Sequence, residues 1–344
     1  MSDGLTAAAA GCRIRWIALA ISLMGAHLGC GMAPPTFADG ETPRDGATPT
    51  DSSGAPDGPP GGDLRGTDAL GPAPDLARPP QRFAIIGDYG VNDPDELAVS
   101  TLVKGWNPDF VITTGDNNYL NGDRATIDLN IGKYYASFIG GYQGAFGPGS
   151  IVNRFWPSIG NHDFYGMEKL QPYLDYFPQL PGNKRYYDVT IGRIHLFALN
   201  SEEPVEPDGI TPDSTQAAWL RQRLAASTAC WKIVYFHQPP YSSGPYHNDK
   251  MRWAFKAMGA DVVVSGHEHY YERIEKDGLL FLINGLGGAK NRFDFPTPIP
   301  ESKVRFSDDF GAQLAHADAA GLTLEFWSVK GVKVDAVTLL KNCP

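Results

Sequence analysis

Apolar runs of strand length, most of them ending in a short polar cluster, constrain this chain more than any other feature. Phe83-Ala84-Ile85-Ile86 runs into Gly87-Asp88-Tyr89-Gly90. Residues 110–114 run into Gly115-Asp116-Asn117-Asn118-Tyr119, residues 233–236 into His237, and residues 261–265 into Gly266-His267-Glu268-His269. Gly160-Asn161-His162-Asp163 is a fifth such cluster. Residues 194–199 and 280–283 add further apolar runs, and residues 322–329 and 332–340 read as a hairpin around Lys330-Gly331. Continuous apolar runs suit strands covered on both faces. Helical patterns fall between them. Asn92-Asp93-Pro94 supplies a cap and a first-turn proline, with Gly105 as the stop. Residues 214–226 place Ala217, Leu220 and Leu224 on one face, and residues 248–258 form a third helical stretch. Alternating strands and helices predict an α/β layered fold.

The front of the chain has a different composition. Arg13 and Arg15 precede an uncharged apolar run, residues 16–28, too short to span a bilayer comfortably. Residues 1–30 therefore read as an export signal. Leu28-Gly29-Cys30 suits lipid attachment at Cys30, although His27 stands where an aliphatic residue is usual. An ordinary cleaved signal with an incidental Cys30 fits equally. In residues 31–80, Gly and Pro fill 20 of 50 positions, a low-complexity composition. Such a segment cannot bury enough apolar surface to offset its ordering entropy. It reads as a disordered acidic linker, either a tether behind Cys30 or a plain spacer. Both readings place the protein outside the cytosol. Residues 81–344 suffice for one catalytic α/β domain.

Charge follows the same division. The leader carries +1 and the linker −5, so of the formal net −10 about −6 falls on the domain. An acidic domain is not a nucleic-acid binder by default, and it repels phosphate esters unless a local positive centre overrides its field. Cys230 and Cys343 are the two cysteines outside the leader. In an oxidising compartment they pair, or else remain two thiols.

The polar clusters stand where chemistry is expected in open α/β sheets, beyond the carboxyl ends of strands. Their candidate donors are Asp88, Asp116, Tyr119, Asn161, His237, His267 and His269. Carboxylate and phenolate suit a hard trivalent ion, while imidazole and amide suit a divalent one. A carboxylate can bridge two ions about 3.5–4 Å apart, and Asp116 is the natural bridge. The stretch 132–149, with Tyr134, Tyr135, Phe138, Tyr142 and Phe146, reads either as a loop over the site mouth or as a packed excursion.

These clusters resemble those of the purple acid phosphatases, the branch of the calcineurin-like metallophosphoesterases in which a Tyr three residues after the bridging Asp replaces a His near the first Asp. Here Asp88-Tyr89-Gly90 lacks that His and Tyr119 supplies the Tyr. The resemblance covers roughly residues 83–290 and fits the small, single-domain kind. It implies a four-layer αββα sandwich, two mixed sheets flanked by helices. It implies a dinuclear centre, with Fe³⁺ on Asp88, Asp116, Tyr119 and His269, and Fe²⁺, Zn²⁺ or Mn²⁺ on Asp116, Asn161, His237 and His267. It makes His162 an outer catalytic residue, and His247, ten residues after His237, a looser match to a second one. Asp163, Glu268 and Arg273 are expected to orient the ligands, and His195 and His316 to be structural. Tyr241, Ser242 and Tyr246 either line the substrate pocket or are packed in a loop.

The activity so implied is that of an exported acid phosphatase. A metal-bound hydroxide attacks a small-molecule phosphomonoester, and His162, with His247, protonates the leaving oxygen. A phosphodiesterase or nucleotide hydrolase would use the same site. A tethered, non-catalytic surface-binding protein is the alternative from another class. No nucleic-acid partner is expected, and a membrane only through Cys30.

Overall fold

The computed structural model describes residues 81–318 and 321–341. The expected leader, Cys30, the linker and Cys343 lie outside the described residues. In chain order the strands are β1 (Gln81–Ile86), β2 (Phe110–Thr113), β3 (Phe155–Pro157), β4 (Tyr187–Ile191), β5 (Ile194–Ala198), β6 (Trp231–Tyr235), β7 (Val262–Ser265), β8 (Tyr271–Lys276), β9 (Leu279–Asn284), β10 (Ser302–Phe306), β11 (Gly311–Ala317), β12 (Gly321–Ser328) and β13 (Lys333–Leu340). The α-helices are α1 (Pro94–Gly105), α2 (Lys133–Tyr135), α3 (Gln171–Tyr176), α4 (Thr215–Ala226) and α5 (Phe255–Met258).

Two mixed sheets result. One has the order β13-β12-β11-β1-β2-β3, the other β10-β8-β9-β7-β6-β5-β4. In the first, β1, β2 and β3 are parallel, and in the second β5, β6, β7 and β9 are. Register brings their ends level. Ile86 lies opposite Thr113 and Thr113 opposite Pro157, while Tyr235 lies opposite Val264.

Side-chain alternation makes the layers. Leu196, Ile233, Tyr235, Val264 and Leu282 join Phe83, Ile85 and Ile112 in the core between the sheets. Their chain neighbours Phe197, Val234, Val263 and Ile283 turn outward to Ala217, Leu220 and Leu224 of α4 and Phe255 of α5. Each fully buried Leu contributes about 1.5–3 kcal/mol. Polar pins cross between sheets: Tyr235 Oη donates to Trp156 O (3.1 Å), Tyr187 Oη to Pro157 O (2.7 Å) and Asn284 Nδ2 to Ile85 O (2.9 Å). The arrangement is the expected αββα sandwich.

Helix signals behaved unequally. Asp93 caps α1 by accepting from Asp95 N and Glu96 N, and Ser214 caps α4 by accepting from Ala217 N. The stretch 248–258 is not one helix. A 3₁₀ turn, Asp249–Met251, is cut from α5 at Arg252 and Ala254, whose ψ values are 63° and 53°. The cause is Trp253, whose buried indole Nε1 donates to Lys250 O (2.9 Å) and Ile210 O (3.0 Å). The stretch 132–149 is a packed excursion, since Tyr134, Tyr135, Phe138 and Tyr142 are buried and only Phe146 among its aromatics is exposed. Cys230 is disulfide-bonded. Among the described residues no helix is long and apolar enough to cross a membrane.

Candidate metal centre

The loops that follow β1, β2, β3, β6 and β7 meet at one end of the two sheets. Asp88, Asp116 and His267 hold positive φ, at 55°, 54° and 69°. Such backbone costs of order 1–3 kcal/mol and persists where surrounding structure enforces it. Here the enforcement is mutual: Asp88 N donates to Gly115 O (3.1 Å), and His267 N to Asp88 Oδ2 (2.9 Å). Gly115 takes φ +94°, and a Cβ at Gly160 would collide with the backbone and carboxylate of Asp116. Glycine lets these loops close on one another.

Two foci of donor atoms form around Asp116. At the first, Tyr119 Oη donates to Asp116 Oδ2 (2.8 Å) and lies 3.4 Å from Asp88 Oδ1 and 3.2 Å from His269 Nε2. At the second, His237 Nε2 lies 3.0 Å from Asn161 Oδ1, 3.1 Å from His267 Nδ1 and 3.4 Å from Asp116 Oδ1. Asp116 thus presents one carboxylate oxygen to each focus. The outer ring nitrogens are committed elsewhere, His237 Nδ1 to Thr114 O (2.8 Å) and His269 Nδ1 to Lys290 O (3.1 Å). That fixes both tautomers with Nε2 facing inward.

The donors suit cations. Asp88 and Asp116 are buried, and among the described residues neither pairs with a Lys or Arg. Around His237 Nε2 stand an amide oxygen, a carboxylate oxygen and His267 Nδ1. Buried acceptors so gathered are costly unless a positive charge lies among them, a metal ion or, without one, the proton of His237. The titration behaviour agrees. Burial pulls the His237 imidazole down, but the Asp116 and Asp88 carboxylates outweigh it and push it up to about 10. Burial and the neighbouring His237 lower His267 to about 4, leaving it a neutral donor. Burial and the same two carboxylates hold the Tyr119 phenol well above its ordinary value. Asp88, Asp116 and His237 alone place ligand atoms within 4.8 Å of one another.

All seven expected ligands meet here, and His162 stands beside them. Its Nδ1 lies 2.6 Å from Leu120 O, its backbone N donates to Asp116 Oδ1 (2.8 Å), and its ring is 4.3 Å from that of Tyr119. The structure does not bring His247 into the group. It is exposed, and its Nε2 pairs with Asp249 Oδ1 (3.3 Å). The loop carrying it presents Tyr246 instead, whose ring lies 6.0 Å from that of His267. Asp163 does orient the site, accepting from Gly160 N (2.8 Å), Asn117 N (2.9 Å) and Asn117 Nδ2 (2.8 Å). Glu268 accepts from Ser242 Oγ (3.0 Å) and Tyr246 N (2.7 Å), so it holds that loop rather than a ligand. Arg273 orients no ligand. It pairs with Glu275 and with Asp335 (2.8 Å), tying β8 to β13. Tyr241 packs on Phe281 and Ser242 is buried, so neither lines the mouth. His195 is structural, with Nε2 2.6 Å from Asp188 Oδ2.

Three participants carried weak sequence signals. Phe293 stacks on His269 with ring centroids 4.5 Å apart. Tyr165 Oη accepts from Asn161 Nδ2 (2.7 Å), turning the amide oxygen toward His237. Its place four residues after Asn161 was the available clue. Glu202, pushed up to about 7 by burial, accepts from Gln238 Nε2 (2.7 Å) beside His237.

The sandwich and its strand-end centre define a metallophosphoesterase. The calcineurin-like phosphoesterase profile matches residues 81–271, and the chain belongs to that family. Within it the chain is purple acid phosphatase-like. It is 27% identical to purple acid phosphatase 3 of Arabidopsis thaliana, over 72% of this chain and 75% of that one. It is 25% identical to human tartrate-resistant acid phosphatase type 5, over 62% of this chain and 74% of that one. In fold it is similar to the purple acid phosphatase PPD1 of yellow lupin (Lupinus luteus) seeds, at TM-score 0.61 and 19% identity, over 76% of this chain and 54% of that one. The family implies a two-metal site.

Proposed function

We propose that the protein is an exported acid phosphatase hydrolysing phosphomonoesters at a dinuclear centre of one trivalent and one divalent ion. Fe³⁺ would be held by Asp88, Asp116, Tyr119 and His269, and Fe²⁺, Zn²⁺ or Mn²⁺ by Asp116, Asn161, His237 and His267. The observation that carries this is the split of Asp116, with Oδ2 on the Tyr119 focus and Oδ1 on the His237 focus. The relatives named above support the monoester reading. Residues 1–30 and 31–80 would be the export signal and linker of the same molecule, with Cys30 lipidated or incidental, and residues 81–344 the catalytic domain.

When bound, the metal pair would supply Lewis acidity to the phosphoryl group and an acidified water. The chain supplies the rest. Asp163 and Asn117 lock the β2 and β3 loops together, so the Asn161 and Asp116 donors cannot drift apart. His162 Nδ1–H on Leu120 O leaves Nε2 free to deliver a proton to the leaving oxygen.

Elemental analysis, a visible spectrum and turnover of mono-aryl against bis-aryl phosphates test the proposal together. Expected are two metals per chain, a charge-transfer band lost in Tyr119→Phe, and faster monoester turnover. A colourless, iron-free, fully active protein would refute the iron assignment, and faster diester turnover the monoester one.

A further inference from the structure

An exposed apolar patch adjoins His162. Leu120 is 72% exposed, Tyr165 52% and Met167 100%. They form one surface because Gly166 N donates to Asn121 O (2.6 Å) and the Leu120 carbonyl holds His162 Nδ1 (2.6 Å). The Tyr165 ring stands edge-on to that of His162, 5.1 Å away. Exposed apolar groups at the rim of a site mark what it binds. The charges nearby point the same way. Arg124 is held through Nε and Nη2 by Glu168 (2.9 Å) and Asp175 (2.7 Å), so two carboxylates beside the patch already claim its charge.

We propose, resting on the phosphomonoesterase reading, that this patch receives the leaving group of the substrate, and that the chain selects a flat, uncharged aryl alcohol over a small polar or polyanionic one. Geometry carries the assignment. The proton donor to the leaving oxygen must stand next to the leaving group, and His162 has Leu120 and Tyr165 for neighbours. A ring face and a thioether recognise an aromatic group through dispersion and edge contacts, and Met167 adapts to its outline. A nucleoside polyphosphate would meet Asp123 and Glu168, and an Arg124 already paired with two carboxylates.

Two measurements on the metal-loaded full chain test this. One is calorimetric binding of phenylphosphonate against methylphosphonate. The other is kcat/KM for phenyl phosphate against glycerol phosphate and a nucleoside triphosphate. Wild type should bind phenylphosphonate on the order of tenfold more tightly than methylphosphonate, and the kinetic preference for phenyl phosphate should shrink in the patch variant. Met167→Ala, at a fully exposed side chain, should lower that preference severalfold while leaving methylphosphonate binding and metal content within about twofold. Tyr165→Phe, which keeps the ring and loses only the hydroxyl on Asn161, should retain the preference. Equal binding of the two phosphonates by wild type, or a Met167→Ala loss that is the same for both, overturns the proposal. Tighter phenylphosphonate binding without turnover of any monoester would sink the phosphatase reading and leave the patch assignment standing.

Discussion

His195 and His237 are both buried imidazoles set against a carboxylate, and the contrast between them separates a structural pin from a cation site. Around His195 every acceptor meets a donor. Its Nε2 pairs with Asp188 Oδ2 (2.6 Å), its Nδ1 with Ser227 Oγ (2.8 Å), and Arg223 closes on both Asp188 oxygens at 3.0 and 2.7 Å. A guanidinium balances the carboxylate, and the cluster is complete in itself. Around His237 three acceptors converge on one nitrogen and no guanidinium answers Asp116. Desolvated acceptors with no fixed cation are an expensive arrangement, met in the metal-free chain only by a proton on His237. A protein that builds one from five separate loops, three of its residues at positive φ, has a positive charge to put there.

The largest test of this contrast is Asp116→Asn. It should reduce metal content below two per chain and lower turnover on the order of 10³-fold, measured by elemental analysis and phosphate release. Next, His162→Ala should lower kcat about 10²-fold for poor leaving groups and far less for activated aryl phosphates, read from a leaving-group series. On the other side of the comparison, Asp188→Asn should leave turnover unchanged and cost about 1–3 kcal/mol in denaturant unfolding at neutral pH. Its pH dependence has a definite sign. Burial alone would raise the Asp188 carboxyl, but the bonds from His195 and Arg223 prevail and hold it below its ordinary range. Its contribution is therefore complete above about pH 4 and is lost as pH falls through the depressed value. The gap between wild type and variant should close in acid. A gap that widened there would reverse the assignment. The smallest signal is proton release. His237, held up to about 10 by the carboxylates, is protonated at neutral pH in the metal-free chain, so metal loading should expel its proton. Calorimetry in buffers of different ionisation enthalpy would show it.

The parts legible in sequence were those with local causes. The strands that end in ligands are uninterrupted apolar runs because both their faces are buried, and α1 and α4 carry their caps in the chain. The seven donors stood in loops that strand ends position. Strands β3, β4, β8, β10 and β11 were not legible. β3 is three residues with a proline, β4, β8 and β10 intersperse charges, and β11 is mostly Gly, Ala and Gln that only its buried place between β1 and β12 makes a strand. His247 is exposed and paired with Asp249, while the turn at residues 242–246, hung on Glu268, brings Tyr246 near His267. Arg273 looked like a site residue by adjacency, but its side chain answers to Asp335, 62 positions away in the chain. Partnerships that distant leave no local mark.

In the loaded protein Asp116 would bridge two cations, with one carboxylate oxygen on each. Anomalous diffraction from the metal-loaded protein tests it most directly. Two peaks about 3.5–4 Å apart, one among Asp88, Tyr119 and His269 and the other among Asn161, His237 and His267, with Asp116 reaching both, is the predicted result. A single ion, or two ions that leave Asp116 uncoordinated, would contradict it.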